Sequence, residues 1–222
     1  MTAERVLVAA GWALVGALLG LLIRRVSVYL ARKEDLEPGF ERWQVWGPPI
    51  LGAALFAVFG LVIGPQPLLL IRSLWVAVLV QVIFFDLEHR LILDRVMFPA
   101  MLLAIVLSDF TPNLGWKLSL ATGFGAGLLF LLIAVAGAAI FKREALGFGD
   151  VKLAAFMGLI LGIAPTVPEP PIITALFLGV LLAGAAGVAM MVLKIKALRD
   201  TFAYGPYLAA GAVITLLSLG AQ

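Results

Sequence analysis

Two aspartates stand where an otherwise apolar chain has little use for charge. Asp86 directly follows Val82-Ile83-Phe84-Phe85, and Asp150 follows Gly147-Phe148-Gly149 at the entry to another apolar run. A charge at the centre of a bilayer costs at least ~2.5–3.5 kcal/mol on insertion scales, so an acid beside hydrocarbon calls for a function. Two carboxylates held close cannot both ionise; they share one proton and titrate as a pair. Such a pair suits peptide hydrolysis. The ionised member takes a proton from a water that attacks the scissile carbonyl. The protonated member hydrogen-bonds the carbonyl oxygen and later helps protonate the leaving amine. A helix N-terminus at Asp150 favours its anion, which leaves Asp86 as the proton-bearing partner. A structural ion pair with Arg or Lys is the plainer alternative for either aspartate.

The neighbouring residues carry double readings. Gly147 and Gly149 lack side chains, so backbone there can approach another helix or an extended substrate strand; glycine is also common in membrane helices, and this chain has 23 of them. Lys152 either pairs with a carboxylate or snorkels to the headgroups. Glu88 and Asp94 are site-supporting acids or solvated interfacial charges beside Arg90 and Arg95. His89, one turn beyond Asp86, is expected at a solvated interface, and Glu144 in a polar loop beside Lys142 and Arg143.

These residues must be positioned by membrane helices. Of the 222 residues, 63% are hydrophobic and 13% charged, against about 45–50% and about 25% in soluble domains. The absence of cysteine removes disulfides, thiol nucleophiles and cysteine metal sites, and one histidine leaves no histidine metal centre. No metal or other cofactor is expected, and a nucleic-acid partner gets little weight from a net charge of +3.

Apolar runs predict an all-α, polytopic transmembrane bundle of about eight spans: Val6–Ile23, Pro48–Gly64, Leu68–Phe85, Val96–Leu107, Leu118–Phe141, Phe148–Ala164, Ile172–Leu193 and Tyr204–Leu219. The fourth and sixth are short for a ~30 Å hydrocarbon layer and are expected to pack inside the bundle. The first is expected to stay as an anchor, since Arg24 and Arg25 follow it with no small-residue cleavage site. The polar stretch Arg24–Gly47 is expected to hold a short interfacial helix with Trp43 and Trp46 at headgroup level. Pro165–Pro171 is too proline-dense to be helical throughout. Two parts follow: residues 1–47, a span with a short cytoplasmic loop, and residues 48–222, the catalytic domain.

Eight spans put Arg5, Arg72 and Lys117 on one side of the membrane and the other thirteen of the sixteen basic residues on the opposite side. The positive-inside rule then places both termini outside. Asp86 and Asp150 fall together on the cytoplasmic side of the plasma (inner) membrane, although the count did not assume it.

Phe85-Asp86-Leu87-Glu88-His89-Arg90-Leu91-Ile92-Leu93-Asp94 resembles the first aspartate motif of the type IV prepilin leader peptidases. Glu144-Ala145-Leu146-Gly147-Phe148-Gly149-Asp150-Val151-Lys152-Leu153 resembles their Gly-x-Gly-Asp motif, and Tyr204-Gly205-Pro206-Tyr207-Leu208-Ala209 is similar to a Phe-Gly-Pro-Phe-Leu-Ala stretch of their last span. The resemblance runs in order from about Pro48 to the end. It implies a membrane aspartic endopeptidase with Asp86 and Asp150 catalytic. Its substrates would be prepilins or pseudopilins, cut on the cytoplasmic side between a basic leader and the mature apolar helix, with the lipid bilayer the other partner. Two departures stand out. Leu93 replaces a usual proline. The long Cys-x-x-Cys loop of many bifunctional members is absent, which excludes zinc in that form and puts methyltransferase activity in doubt.

Three other readings remain. A proton-coupled transporter would place its acids near the bilayer midplane. A non-enzymatic assembly factor for a pilus or secretion machine would tolerate Asp→Asn changes. A presenilin-type protease shares the Gly-x-Gly-Asp logic but is disfavoured by the Asp-x-Glu motif and the membrane-edge position.

Overall fold

The computed structural model describes residues 2–142, 146–163, 170–193 and 203–220. Glu144, residues 164–169 of the proline-dense connection, and Arg143, Lys194, Lys196 and Arg199 lie outside the described residues, so the expectations placed on them go no further. Among the described residues there is no strand. Eight α-helices follow in order: α1 (Ala3–Lys33), α2 (Arg42–Ile63), α3 (Pro67–His89), α4 (Asp94–Leu107), α5 (Gly115–Phe141), α6 (Phe148–Leu161), α7 (Pro171–Val192) and α8 (Gly205–Ser218). One turn of 3-10 helix, Ser108–Phe110, extends α4.

Five helices (α1, α2, α3, α5 and α7) are long and apolar enough to cross a bilayer. Leu7, Phe124, Ile140 and Val192 are each more than 70% exposed in the isolated chain, on helices whose length and apolar composition suit a lipid surround. The chain is therefore a multi-pass helical membrane protein. The helices α4, α6 and α8 have 14 residues each, or about 21 Å of rise against a ~30 Å hydrocarbon layer.

The chain divides into two compact units. The first comprises Met1–His89 with Leu216–Gln222. Its α1 and α2 cross through small residues: a methyl on Gly16 would overlap the Gly52 carbonyl, and one on Gly20 would overlap Pro48 and Pro49. This close approach is how apolar helices gain packing without a hydrophobic drive. Polar contacts tie α1 to α3. Trp12 Nε1 donates to Ser73 Oγ at 2.8 Å, and Gln81 Nε2 donates to Ser27 Oγ at 3.0 Å.

The second unit is Arg90–Thr215, in which α6 packs against α4, α5 and α7. Ten of the fourteen α6 residues are buried. Its crossing with α5 is as tight as glycine allows, since a methyl on Gly158 would lie 2.7 Å from Gly123 Cα. Thr122 Oγ1 donates to the Gly158 carbonyl and Ser119 Oγ to the Leu159 carbonyl, both at 2.8 Å. On α7, Gly179 packs against Leu208 of α8.

Four details differ from the sequence reading. The separate interfacial helix in Arg24–Gly47 does not form. Residues 24–33 contain no glycine or proline, so α1 continues to Lys33; the chain breaks at Asp35, with φ 55°, and re-enters helix at Arg42. Trp43 and Trp46 remain exposed on the first turns of α2. The helix α3 runs past Phe85 through Asp86 to His89. Two basic residues counted as loop charges serve helix ends instead. Buried Arg72 donates from Nη1 and Nη2 to the Leu216 and Leu219 carbonyls, both at 3.2 Å, and Arg5 donates to the Val62 carbonyl at 3.3 Å. Each satisfies carbonyls that a helix C-terminus leaves open.

Candidate active site

Asp86 sits in the last turn of α3, whose sequence from Leu68 to Phe85, apolar but for Arg72, Ser73 and Gln81 and free of glycine and proline, keeps it helical and half-buried along its length. The helix stops at Arg90, which adopts a left-handed φ of 54°. Asp86 is 5% exposed. It is thus a buried residue of the helix and not a rim residue at the start of a loop.

Glu88 lies two residues on, about 200° around the helix, so its side chain leaves the opposite face from Asp86. Its carboxylate is 6% exposed and pairs with Arg24 of α1 at 2.9 Å. The Gly39 N–H donates to Glu88 Oε1 at 2.5 Å, and Arg24 Nη2 donates to the Gly39 carbonyl. The guanidinium also stands 5.7 Å from the centroid of the Phe40 ring. This corrects the solvated reading of Glu88. Removing one member of a buried pair leaves an uncompensated charge, at a cost of about 3–5 kcal/mol. His89 is likewise not solvated: its side chain is 8% exposed, 4.7 Å from the Phe85 ring centroid and 3.4 Å from Glu88 Oε1.

Asp150 is the third residue of α6 and is buried. Gly147 caps the helix with φ −73° and ψ 148°. Its N–H donates to Asp150 Oδ2 at 3.3 Å, while the Asp150 N–H donates to the Gly147 carbonyl at 3.0 Å. A carboxylate in the first turn of a helix also gains from the helix dipole. The two glycines differ. A methyl on Gly147 would meet nothing closer than 3.5 Å, so the protein itself does not require glycine there. A methyl on Gly149 would lie 3.0 Å from Ile92 Cβ, so a larger residue there needs Ile92 of the α3–α4 connection to give by a few tenths of an ångström.

Lys152 pairs with Asp94 in the first turn of α4, and its ammonium lies 5.1 Å from the Phe148 ring centroid. Asp94 is a solvent-facing partner, with 56% of its side chain exposed. Leu93 caps α4 with φ −75°, the value a proline would impose, so the departure from proline leaves the turn intact. Tyr204, just ahead of α8, is half-buried. Among the described residues, no three His, Asp or Glu side chains converge as a metal site would need.

Arg24, Gly39 and Arg72 were missed as structural partners from the sequence. Arg24 read only as a positive charge after an apolar run; nothing local marks a partner 64 residues away.

Comparison with known proteins bears on these residues. The model of the type IV leader peptidase family matches residues 73–192, more than half of the chain and the stretch holding Asp86, Glu88 and Asp150. A curated relative, the prepilin leader peptidase/N-methyltransferase of Bacillus subtilis (strain 168), is 27% identical over 168 residues, 76% of this chain. The chain spans only 63% of that relative's length. No solved structure matches. With two buried aspartates at helix ends inside the matched stretch, the chain belongs to the type IV leader peptidase family.

Proposed function

We propose that this protein is an aspartic endopeptidase of the plasma (inner) membrane that removes the basic leader of type IV prepilins or pseudopilins at the cytoplasmic face. Asp86 and Asp150 are its catalytic residues. The observation that carries the reading is the burial of both carboxylates, 5% and 9% exposed, at helix ends within the family stretch. Two carboxylates that act together on one peptide would hold a single proton between them. Asp150, in the first turn of α6, is the ionised base that activates water. Asp86 hydrogen-bonds the carbonyl oxygen through its proton and then gives that proton to the leaving amine, while the proton Asp150 took from water restores the singly protonated pair.

The basic residues support a cytoplasmic site, because thirteen of sixteen fall on the side of Asp86 and Asp150 in an eight-span topology. A prepilin, itself one apolar helix behind a basic leader, would reach such a site from the bilayer. The α1–α2 connection, residues 34–41, is short and without cysteine, so nothing in it corresponds to a zinc-bearing methyltransferase loop.

The test is co-expression with a panel of prepilin-type substrates, comparing wild type with Asp86→Asn and Asp150→Asn. Wild type shortens the substrate by its leader, and both variants insert but leave it full length. Processing by both variants would reject the pair. Failure of wild type on every substrate, with proton-coupled uptake in vesicles, would favour a transporter instead. The mass of the mature N-terminus reports methylation separately.

A further inference from the structure

We infer that Arg24 and Glu88 are positioning residues for Asp86, acting through a closed ring with the backbone of Gly39. The inference rests on Asp86 being catalytic. Arg24 bonds both the Glu88 carboxylate and the Gly39 carbonyl, and Glu88 accepts the Gly39 N–H. One residue of the α1–α2 connection thus has both backbone polar groups held by the same ion pair. The enclosure is completed by Phe40 over the guanidinium and by Gln44, whose amide oxygen accepts the Glu41 N–H at 2.7 Å and whose side chain fills the space a Cβ at position 39 would need.

Three facts give this ring a role beyond holding the fold. It grips the last turn of α3, and helix ends are where helices fray. It grips that turn from the face opposite Asp86, so it resists the rotation that would swing the aspartate away. A buried ion pair is also a poor source of stability, since apolar residues of similar volume often do as well; its best-attested use is fixing register. Arg24 and Gly39 both lie outside residues 73–192, so this support comes from a part of the chain that the family match does not reach.

The experiment uses the purified full chain in lipid vesicles and a peptide with a basic leader, a glycine and an apolar helix. The variants are Arg24→Gln, Glu88→Gln, their double, and Arg24→Lys, with Asp86→Asn as the inactive control. Each single neutralisation is expected to lower kcat by about 10–100-fold with KM within about twofold, because a misplaced catalytic group costs rate rather than binding. The double variant leaves no charge buried, so its Tm returns to within about 3 °C of wild type while its kcat stays low. Arg24→Lys, which keeps the charge but not the planar fork, gives an intermediate kcat. A double variant with both Tm and kcat of wild type makes the ring purely structural and overturns the inference. So does a loss confined to KM. Either result leaves the peptidase reading standing, because wild type still cuts and Asp86→Asn does not. A wild type as inert as Asp86→Asn overturns both.

Discussion

Gly158→Ala is a one-methyl test of how α6 holds Asp150. The new methyl would lie 2.7 Å from both Gly123 Cα and the Thr122 carbonyl carbon, and closer still to the Thr122 oxygen. These are backbone atoms of α5, with no rotamer to move. Ordinary contact begins at 3.4 Å and the Thr122 oxygen would lie at 2.4 Å, so the helices must part by 3.4 minus 2.4, or 1.0 Å. The same opening stretches Thr122 Oγ1 to the Gly158 carbonyl and Ser119 Oγ to the Leu159 carbonyl from 2.8 Å to about 3.8 Å, where a hydrogen bond is no longer worth counting. Two interhelical bonds at about 0.6 kcal/mol each and an overpacking cost of about 1–3 kcal/mol give a loss of about 2–4 kcal/mol. The control is Gly125→Ala on the same helix α5, where a methyl meets nothing within 4 Å. It should be neutral or slightly stabilising, by up to ~1 kcal/mol. Thermal unfolding in detergent, followed by the fluorescence of the five tryptophans, separates the two: Gly158→Ala should melt at least about 4 °C lower. Equal melting of both variants would refute the account of the α5–α6 crossing.

Gly147→Ala should leave Tm unchanged, while Gly149→Ala should lower it as Ile92 yields; the reverse order in a melting experiment would show the capping geometry to be wrong. Lys152→Met should cost less than about 1 kcal/mol in Tm-derived stability, because its partner Asp94 is largely solvated. Arg72→Leu should cost about 1.5–3 kcal/mol, the worth of charged hydrogen bonds to the Leu216 and Leu219 carbonyls. Proteolysis of the C-terminus in that variant, against resistance in wild type, checks it.

The aspartates were legible because local context sufficed: an acid after four apolar residues, or at the mouth of an apolar helix, stands out in one dimension. The helices were legible for the same reason, and Gly64, Gly115 and Gly162, all with positive φ, mark the ends of α2 and α6 and the start of α5. What escaped is long-range. The burial of Glu88 depends on Arg24 in α1, and Arg72 reads as a loop charge until the end of α8 arrives 144 residues later. The polar stretch after Ile23 misled because charge signals solvent, whereas helix continuation depends on propensity, and ten residues without glycine or proline carried α1 to Lys33. Gly147 and Gly149 look alike in sequence; only the position of Ile92 distinguishes them.

The central claim is that Asp86 and Asp150 act as one catalytic pair. Single-turnover cleavage of a prepilin-type peptide by the full chain in vesicles tests it most directly. Asp86→Asn, Asp150→Asn and the double variant should each lower the rate by about the same factor, at least ~10²–10⁴-fold, with melting close to wild type. Losses that multiply in the double variant, or a single variant that still cuts at the wild-type rate, would contradict it.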